Sequence, residues 1–207
     1  KYLSACERLT RSRSKAATKL NKSITRSMQT LGMNGGRFEI TVEQTASKRS
    51  AFGLDSIDFT VTANAGQSCK PIARVASGGE LARISLAIQM IIANNSKIST
   101  LIFDEVDSGV GGGIAEIVGQ HLRILGQPET DRSSQVICIT HLPQVASQAH
   151  HHLRVEKQTQ KKQTTSQVVT LDDEQRRHEI ARMLSGVDIT EQSLAHADEM
   201  LERAQEV

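Results

Sequence analysis

The chain has 207 residues and a formal net charge of +2, which suits one sizeable core or one lobe of a larger unit and does not by itself announce a nucleic-acid binder. No run approaches the roughly 18 apolar residues needed to cross a bilayer, and no apolar stretch follows a charged start, so neither a membrane span nor a signal peptide is expected. Cys6, Cys69 and Cys138 lie far apart without CxxC spacing, and aromatic residues make up 2%; this fits a reducing cytoplasm and leaves phosphates, not stacked bases, for any nucleic-acid contact.

Residues 1–31 read as a helix, with Leu3, Cys6, Thr10, Arg13, Ala17, Leu20, Ile24, Ser27 and Leu31 at 3,4 spacing. Three of the nine are polar, so the stripe fits an amphipathic helix as well as the base of a coiled coil. Residues 1–26 hold eight basic residues against one acid, Glu7, a face that is either solvated or turned to DNA phosphates. Gly32 stops the helix and Asn34-Gly35-Gly36 supplies a turn.

Phe38, Ile40 and Val42 alternate with polar neighbours, as do Ile57, Phe59, Val61 and Ala63, so two half-buried strands are expected around a polar loop. A helix from about Gly79 to Asn94 would bury Leu81, Ile84, Ile88 and Ile91. The continuous run Thr100-Leu101-Ile102-Phe103 suits a strand buried on both faces of a parallel sheet. After a glycine-rich turn, Ile114–Leu125 look helical and Val136–Ile139 form a second apolar strand. Strand, crossover helix and strand make a parallel βαβ unit, whose functional groups collect at the carboxyl ends of the strands. Those ends carry Asp104-Glu105 and Thr140-His141. Strands near Leu153–Glu156 and Gln167–Leu171 follow, then two helices. The first breaks at Ser185-Gly186, and the second opens with Asp188 three residues before Glu191, a capping-box pattern.

Three short stretches carry chemistry. In Ser77-Gly78-Gly79-Glu80, two glycines before a helix leave backbone N–H groups uncovered at the positive end of its dipole. That makes an anion site suited to a terminal phosphate, or a simple N-cap turn. Asp104 and Glu105 are adjacent on a strand and point to opposite sides, so they divide the work. Asp104 would hold Mg²⁺, directly or through water, and Glu105 would polarise the water attacking a γ-phosphate. His141, at the end of the neighbouring strand, would reach the same phosphate as donor or water orienter. The Asp107–Gly113 segment is read as a flexible turn beside this centre, because it lacks the Lys of a P-loop. His150-His151-His152 is not expected to bind metal, since consecutive strand residues alternate faces.

None of the fourteen glycines is followed by Lys, so the chain contains no G-x-x-x-x-G-K-[ST] motif. The hydrolytic half of a nucleotide site is here without the half that cradles phosphates, and a P-loop is expected elsewhere in the protein.

These residues resemble the heads of ATP-binding-cassette and SMC-like ATPases. Ser77-Gly78-Gly79-Glu80 is similar to the signature motif, Leu101–Glu105 to the Walker B strand with its catalytic Glu, Asp107-Ser108-Gly109 to the D-loop and His141 to the switch histidine. The closer resemblance is to the RecN family, carried by Val75–Ile84, Phe103–Asp107, Lys70-Pro71, Ala181–Gly186 and above all Thr140-His141-Leu142-Pro143-Gln144-Val145-Ala146. The resemblance implies an α/β fold, the C-terminal lobe of a P-loop NTPase head with a parallel βαβ core, flanking helices and an antiparallel strand pair. Residues 1–34 would be the base of a returning coiled coil and 35–207 the lobe itself. It also implies ATP and Mg²⁺, catalysis by Glu105 and His141, and nucleotide contacts from Ser77, Gly78, Gly79, Glu80, Asp107, Ser108 and Gly109. The implied partners are the chain's own N-terminal P-loop lobe, a second protomer engaged head to head, and DNA ends or single strands, in the bacterial cytoplasm at the nucleoid, in double-strand break repair. A tether whose nucleotide only controls dimerisation is the competing expectation; retention of Glu105 and His141 favours turnover.

Overall fold

The computed structural model describes residues 1–45, 49–75, 77–95, 98–104, 107, 109–127, 134–160, 163–186 and 188–206. Glu105 and Ser108, two of the residues singled out above, lie outside that set. The chain forms two compact units, Lys1–Ser96 and Lys97–Val207.

The first unit is built on helix α1 (Tyr2–Thr30). The expected stripe is its covered side: Cys6, Ala17, Ile24 and Leu31 are buried, joined by Met28. Two of its three polar members, Thr10 and Arg13, are accounted for by the neighbouring hairpin, β1 (Arg37–Gln44) and β2 (Asp55–Thr62), paired antiparallel from Arg37↔Thr62 to Gln44↔Asp55. Arg13 Nη1 lies 2.7 Å from Asp55 Oδ2, and the Thr10 hydroxyl donates to Asp55 Oδ1 at 2.5 Å. Bonds from Thr10 and then Arg13 hold the Asp55 carboxyl below its ordinary value.

Strand β1 is an edge, since β2 pairs on its other side with the short β3 (Lys70–Pro71). An edge exposes unpaired backbone donors. Here α1 meets two of them: Phe38 N–H donates to Thr25 Oγ1 at 3.0 Å and Ile40 N–H to Asn21 Oδ1 at 2.8 Å. Phe38 is buried against α1's side of the hairpin, whereas Ile57 and Phe59 stay exposed. At the turn before β1, Gly35 has φ +82°, and a Cβ there would sit 2.7 Å from Ala65 Cβ, so glycine is required for two reasons.

Helix α2 (Gly78–Asn95) packs on α1. Its buried face runs through Ile84, Leu86, Ala87, Met90 and Ala93. Of the face expected from spacing, Leu81 is exposed and Ile88 and Ile91 are only partly covered. This helix is apolar nearly all round, so periodicity alone does not select the side that meets α1.

The second unit contains the parallel pair β4 (Thr100–Asp104) and β5 (Gln135–Ile139), in register from Thr100↔Gln135 to Asp104↔Ile139, with α3 (Gly113–Leu125) as crossover. The βαβ expectation holds in its order and direction. Burial on both faces does not: Ile102, Ile137 and Ile139 are exposed, and α3 contacts β5. Within this unit, helical cover reaches one face of the pair.

After the short α4 (Pro143–Ala146) come the antiparallel β6 (Leu153–Gln160) and β7 (Gln163–Thr170), then α5 (Asp173–Ser185) and α6 (Glu191–Gln205). Ala146, Ile180, Ala181 and Ala197 form the core between α4, α5 and α6. The capping box expected at Asp188 and Glu191 is two residues off. Thr190 is the N-cap of α6, with Ser193 completing the box, and α5 has its own box from Asp172 and Gln175. A serine hydroxyl at the third helical position satisfies the N-cap N–H as well as a Glu or Gln would, and this composition hid the box. The His150–His152 triplet precedes β6 instead of lying in it, so strand alternation does not separate its members.

Candidate active site

The carboxyl ends of β4 and β5 sit side by side because the two strands are parallel and in register. Asp104 closes β4 with its side chain exposed, and it forms no ion pair among the described residues. An exposed carboxylate is one ligand of the oxygen-rich set a hard divalent cation takes, and no cluster of three or more such groups stands among the described residues.

Asp107, three residues on, is 2% exposed and receives four contacts at one oxygen. The Thr140 hydroxyl donates to its Oδ2 at 2.5 Å, the backbone N–H of His141 at 2.9 Å and that of Leu142 at 3.3 Å. His141 Nδ1 lies 3.0 Å from the same oxygen. Burial alone would raise the Asp107 carboxyl; the Thr140 and His141 bonds, with the adjacent His141 ring, hold it below its ordinary value instead. Asp107 is thus an anionic anchor that joins the segment after β4 to the end of β5.

The His141 side chain remains 75% exposed. The ring turns Nδ1 toward the Asp107 carboxylate and leaves its other edge open. Cys138, on β5 between these groups, is pushed up to about 12 by burial and by the charges of Asp107 and Asp104. Its thiol stays protonated and supplies no nucleophile.

The string Thr140–Ala146 has a local logic. Leu142 is extended, Pro143 starts α4 at the position where its missing N–H costs nothing, and Val145 and Ala146 enter the core. Helix α3 approaches so closely that a Cβ on Gly119 would meet Gln148 Cγ at 2.7 Å and the Gln144 carbonyl oxygen at 3.1 Å. The loop bearing His141 is therefore pinned at Asp107 on one side and at the α3–α4 contact on the other.

Gly109 has φ +73° in a turn where Val110 N–H donates to the Asp107 carbonyl at 3.2 Å. In the first unit, Ser77 stands before α2 as its cap: Leu81 N–H donates to its carbonyl at 3.0 Å, and Glu80 N–H reaches its hydroxyl at 3.4 Å. Ser77 and Gly78 are exposed, and a Cβ on Gly78 would meet nothing within 4 Å. The helix start is open, although its first turn already carries an acid, Glu80, which offsets part of the positive end of the dipole. The residue that spacing did not single out is Thr140, whose hydroxyl holds Asp107. Its signal was its place beside His141 at a strand end.

No family model matches the sequence. The DNA repair protein RecN of Vibrio cholerae is 48% identical over 200 residues, covering 97% of this chain and 35% of that protein. RecN of Haemophilus influenzae is 45% identical over 194 residues, covering 94% and 34%. This is a RecN-type sequence. It spans about a third of the length of the curated RecN relatives it matches. Among solved structures, an SMC ATPase studied for ATP-driven dimerisation and DNA-stimulated activation superposes with a TM-score of 0.60 at 18% identity, covering 86% of this chain and 99% of that one. The Smc head domain with a coiled coil and joint from Pyrococcus yayanosii gives 0.59 at 21%, covering 84% and 30%. At such identities the likeness is one of fold: the RecN-type chain has the α/β architecture of an SMC head's C-terminal part.

Proposed function

We propose that this RecN-type chain is the hydrolytic lobe of an ATPase head acting in DNA repair, completed by a P-loop that lies outside these 207 residues. The observation that carries the reading is the Asp107 anchor, which presents an exposed His141 beside the end of the strand bearing Asp104. In this reading ATP is the substrate. Mg²⁺ held by Asp104 would neutralise charge on its phosphates. Glu105 takes the proton of the attacking water, His141 contacts the γ-phosphate, and Asp107 keeps the imidazole turned.

Ser77 and the N–H groups of Gly78 and Gly79 offer donors to a phosphate on a second protomer when two heads close. In this reading Ser108 and Gly109 also serve that contact. The ATP-driven dimerisation described for the SMC ATPase of like fold supports this arrangement, and the RecN relatives support DNA as the partner.

The test is Glu105→Gln in the complete protein, which keeps shape and removes the base. Hydrolysis should fall by roughly 10²–10⁴-fold with ATP binding retained. An unchanged kcat would remove Glu105 from its role.

A further inference from the structure

Within the second unit, a cavity of about 250 Å³ is lined by Arg123 of α3, Ser147, His150 and His151 of the segment between α4 and β6, Arg176 of α5 and Leu201 of α6. None of these residues belongs to the β4–β5 ends. Arg123 Nη1 donates to the Gln148 carbonyl at 2.9 Å, and Arg176 Nη2 donates to the carbonyls of Ser147 and Ala149 at 2.8 and 2.5 Å. These carbonyls follow the end of α4 and offset part of the positive charge. They occupy one nitrogen of each guanidinium. Among the described residues neither arginine has an ion pair, and the Nε atoms of both are buried without a partner.

Two half-buried guanidiniums side by side, with two imidazoles, are a costly arrangement if left alone, because buried charge without a counter-charge is strongly unfavourable. The strain shows on the groups themselves. Burial and then Arg123 push the Arg176 guanidinium down against the weaker opposing charge of Asp173, and burial, Arg123, His151 and Arg176 push His150 down. Every other arginine in this unit whose value is displaced is raised, by a carboxylate partner: Arg154 by Glu156 and Glu179, Arg177 by Asp198, Arg182 by Glu179 and Arg203 by Glu199.

We propose that this cavity is a phosphate-binding site, with Arg123 and Arg176 as paired forks and His150 and His151 as further donors. A carboxylate satisfies one guanidinium fork, whereas a tetrahedral phosphate presents oxygens to both arginines at once. The group is either a free or nucleotide phosphate or a phosphodiester of a DNA backbone, and the chemistry of recognition is the same. A bound phosphate anion would also favour the protonated form of His150 and so tighten with falling pH.

The test uses the complete protein with its ATP site saturated by Mg²⁺ and a non-hydrolysable ATP analogue. Inorganic phosphate is titrated calorimetrically at constant ionic strength. The parent should show saturable binding that sulfate competes for and acetate does not. Arg123→Gln should weaken it about tenfold or more, the loss expected for a charge-assisted bond. Arg123→Lys, which keeps charge without the fork and guards against misfolding, should weaken it by a smaller factor. Heat that never saturates, equal binding by Arg123→Gln, or acetate binding as well as phosphate would overturn the proposal. The source is separated by DNA binding at several salt concentrations. A salt slope lowered by about one unit in Arg123→Gln assigns the site to a backbone phosphate, and an unchanged slope beside lost phosphate binding assigns it to a free or nucleotide phosphate.

Discussion

Replacing Asp107 with Asn keeps the shape of the side chain but removes the charge that the Thr140 hydroxyl, two backbone N–H groups and the His141 ring share. Bonds to a buried charge contribute about 1.5–3 kcal/mol, so Asp107→Asn should lower the unfolding free energy by that order in a denaturant titration. The change also removes the carboxylate beside the His141 ring, so hydrolysis by the complete protein should fall while nucleotide affinity holds. Thr140→Ser should keep most activity and Thr140→Val should not; equal activities would release Thr140 from this role. The Asp107 carboxyl is held low in the folded chain, so its contribution is present above the ordinary aspartate value of about 3.9 and is lost as pH falls through the lowered one. The sequence displays Asp107 plainly, but not the partner 33 residues away, because that pairing exists only once β4 and β5 lie in register.

At the scale of elements, α1 shows how one stripe can be misjudged. Thr10 and Arg13 look like flaws in an apolar repeat, and their partner Asp55 lies 42 residues beyond Arg13 across a polar loop. The basic side chains of this helix are accordingly not equivalent. Arg13→Gln should lower the thermal midpoint, and adding Asp55→Asn should cost little more, since both break the same pair. Arg11→Gln and Lys15→Gln should leave the midpoint unchanged. If those two side chains face DNA phosphates in the complete protein, each should flatten the salt dependence of binding by about one unit. Full additivity of Arg13→Gln and Asp55→Asn would dissolve the pair.

The α3–α4 contact makes a second prediction. Gly119→Ala should destabilise by about 1–3 kcal/mol through overpacking against Gln148 and Gln144. It should also impair hydrolysis, because α4 follows His141 directly. A denaturation midpoint matching the parent's would show that the close approach relaxes freely. The longer helices and strands and the βαβ direction were legible from periodicity and from the two strand ends; the short β3 and α4 were not. The buried face of α2, the cap of α6 and the placement of His150–His152 were not, since each depends on which surface a neighbour happens to cover.

For the whole molecule, half-buried histidines tie stability to pH. Burial lowers His121 and His152 from the ordinary value of about 6.5. Their folded pKa lies below the unfolded one, so the folded state is favoured fully above pH ~6.5 and loses that advantage as pH falls through the folded values. The midpoint of thermal unfolding should therefore drop on acidification below that point, and His152→Gln should flatten the drop. The exposed isoleucines of β4 and β5 and the absence of any Gly-Lys step give the same message at this scale: sheet face and phosphate cradle are both incomplete within these residues.

The most direct measurement is ATP turnover by this chain alone and with the rest of the protein supplied in trans. With Mg²⁺ and ATP, the 207-residue chain should turn over negligibly. Adding a lobe that carries the P-loop should restore hydrolysis, and the same mixture made with Glu105→Gln should stay roughly 10²–10⁴-fold slower. Robust Mg²⁺-dependent turnover by the chain alone would contradict a divided site, as would a mixture in which the lobes bind each other and nucleotide yet Glu105→Gln hydrolyses as fast as the parent.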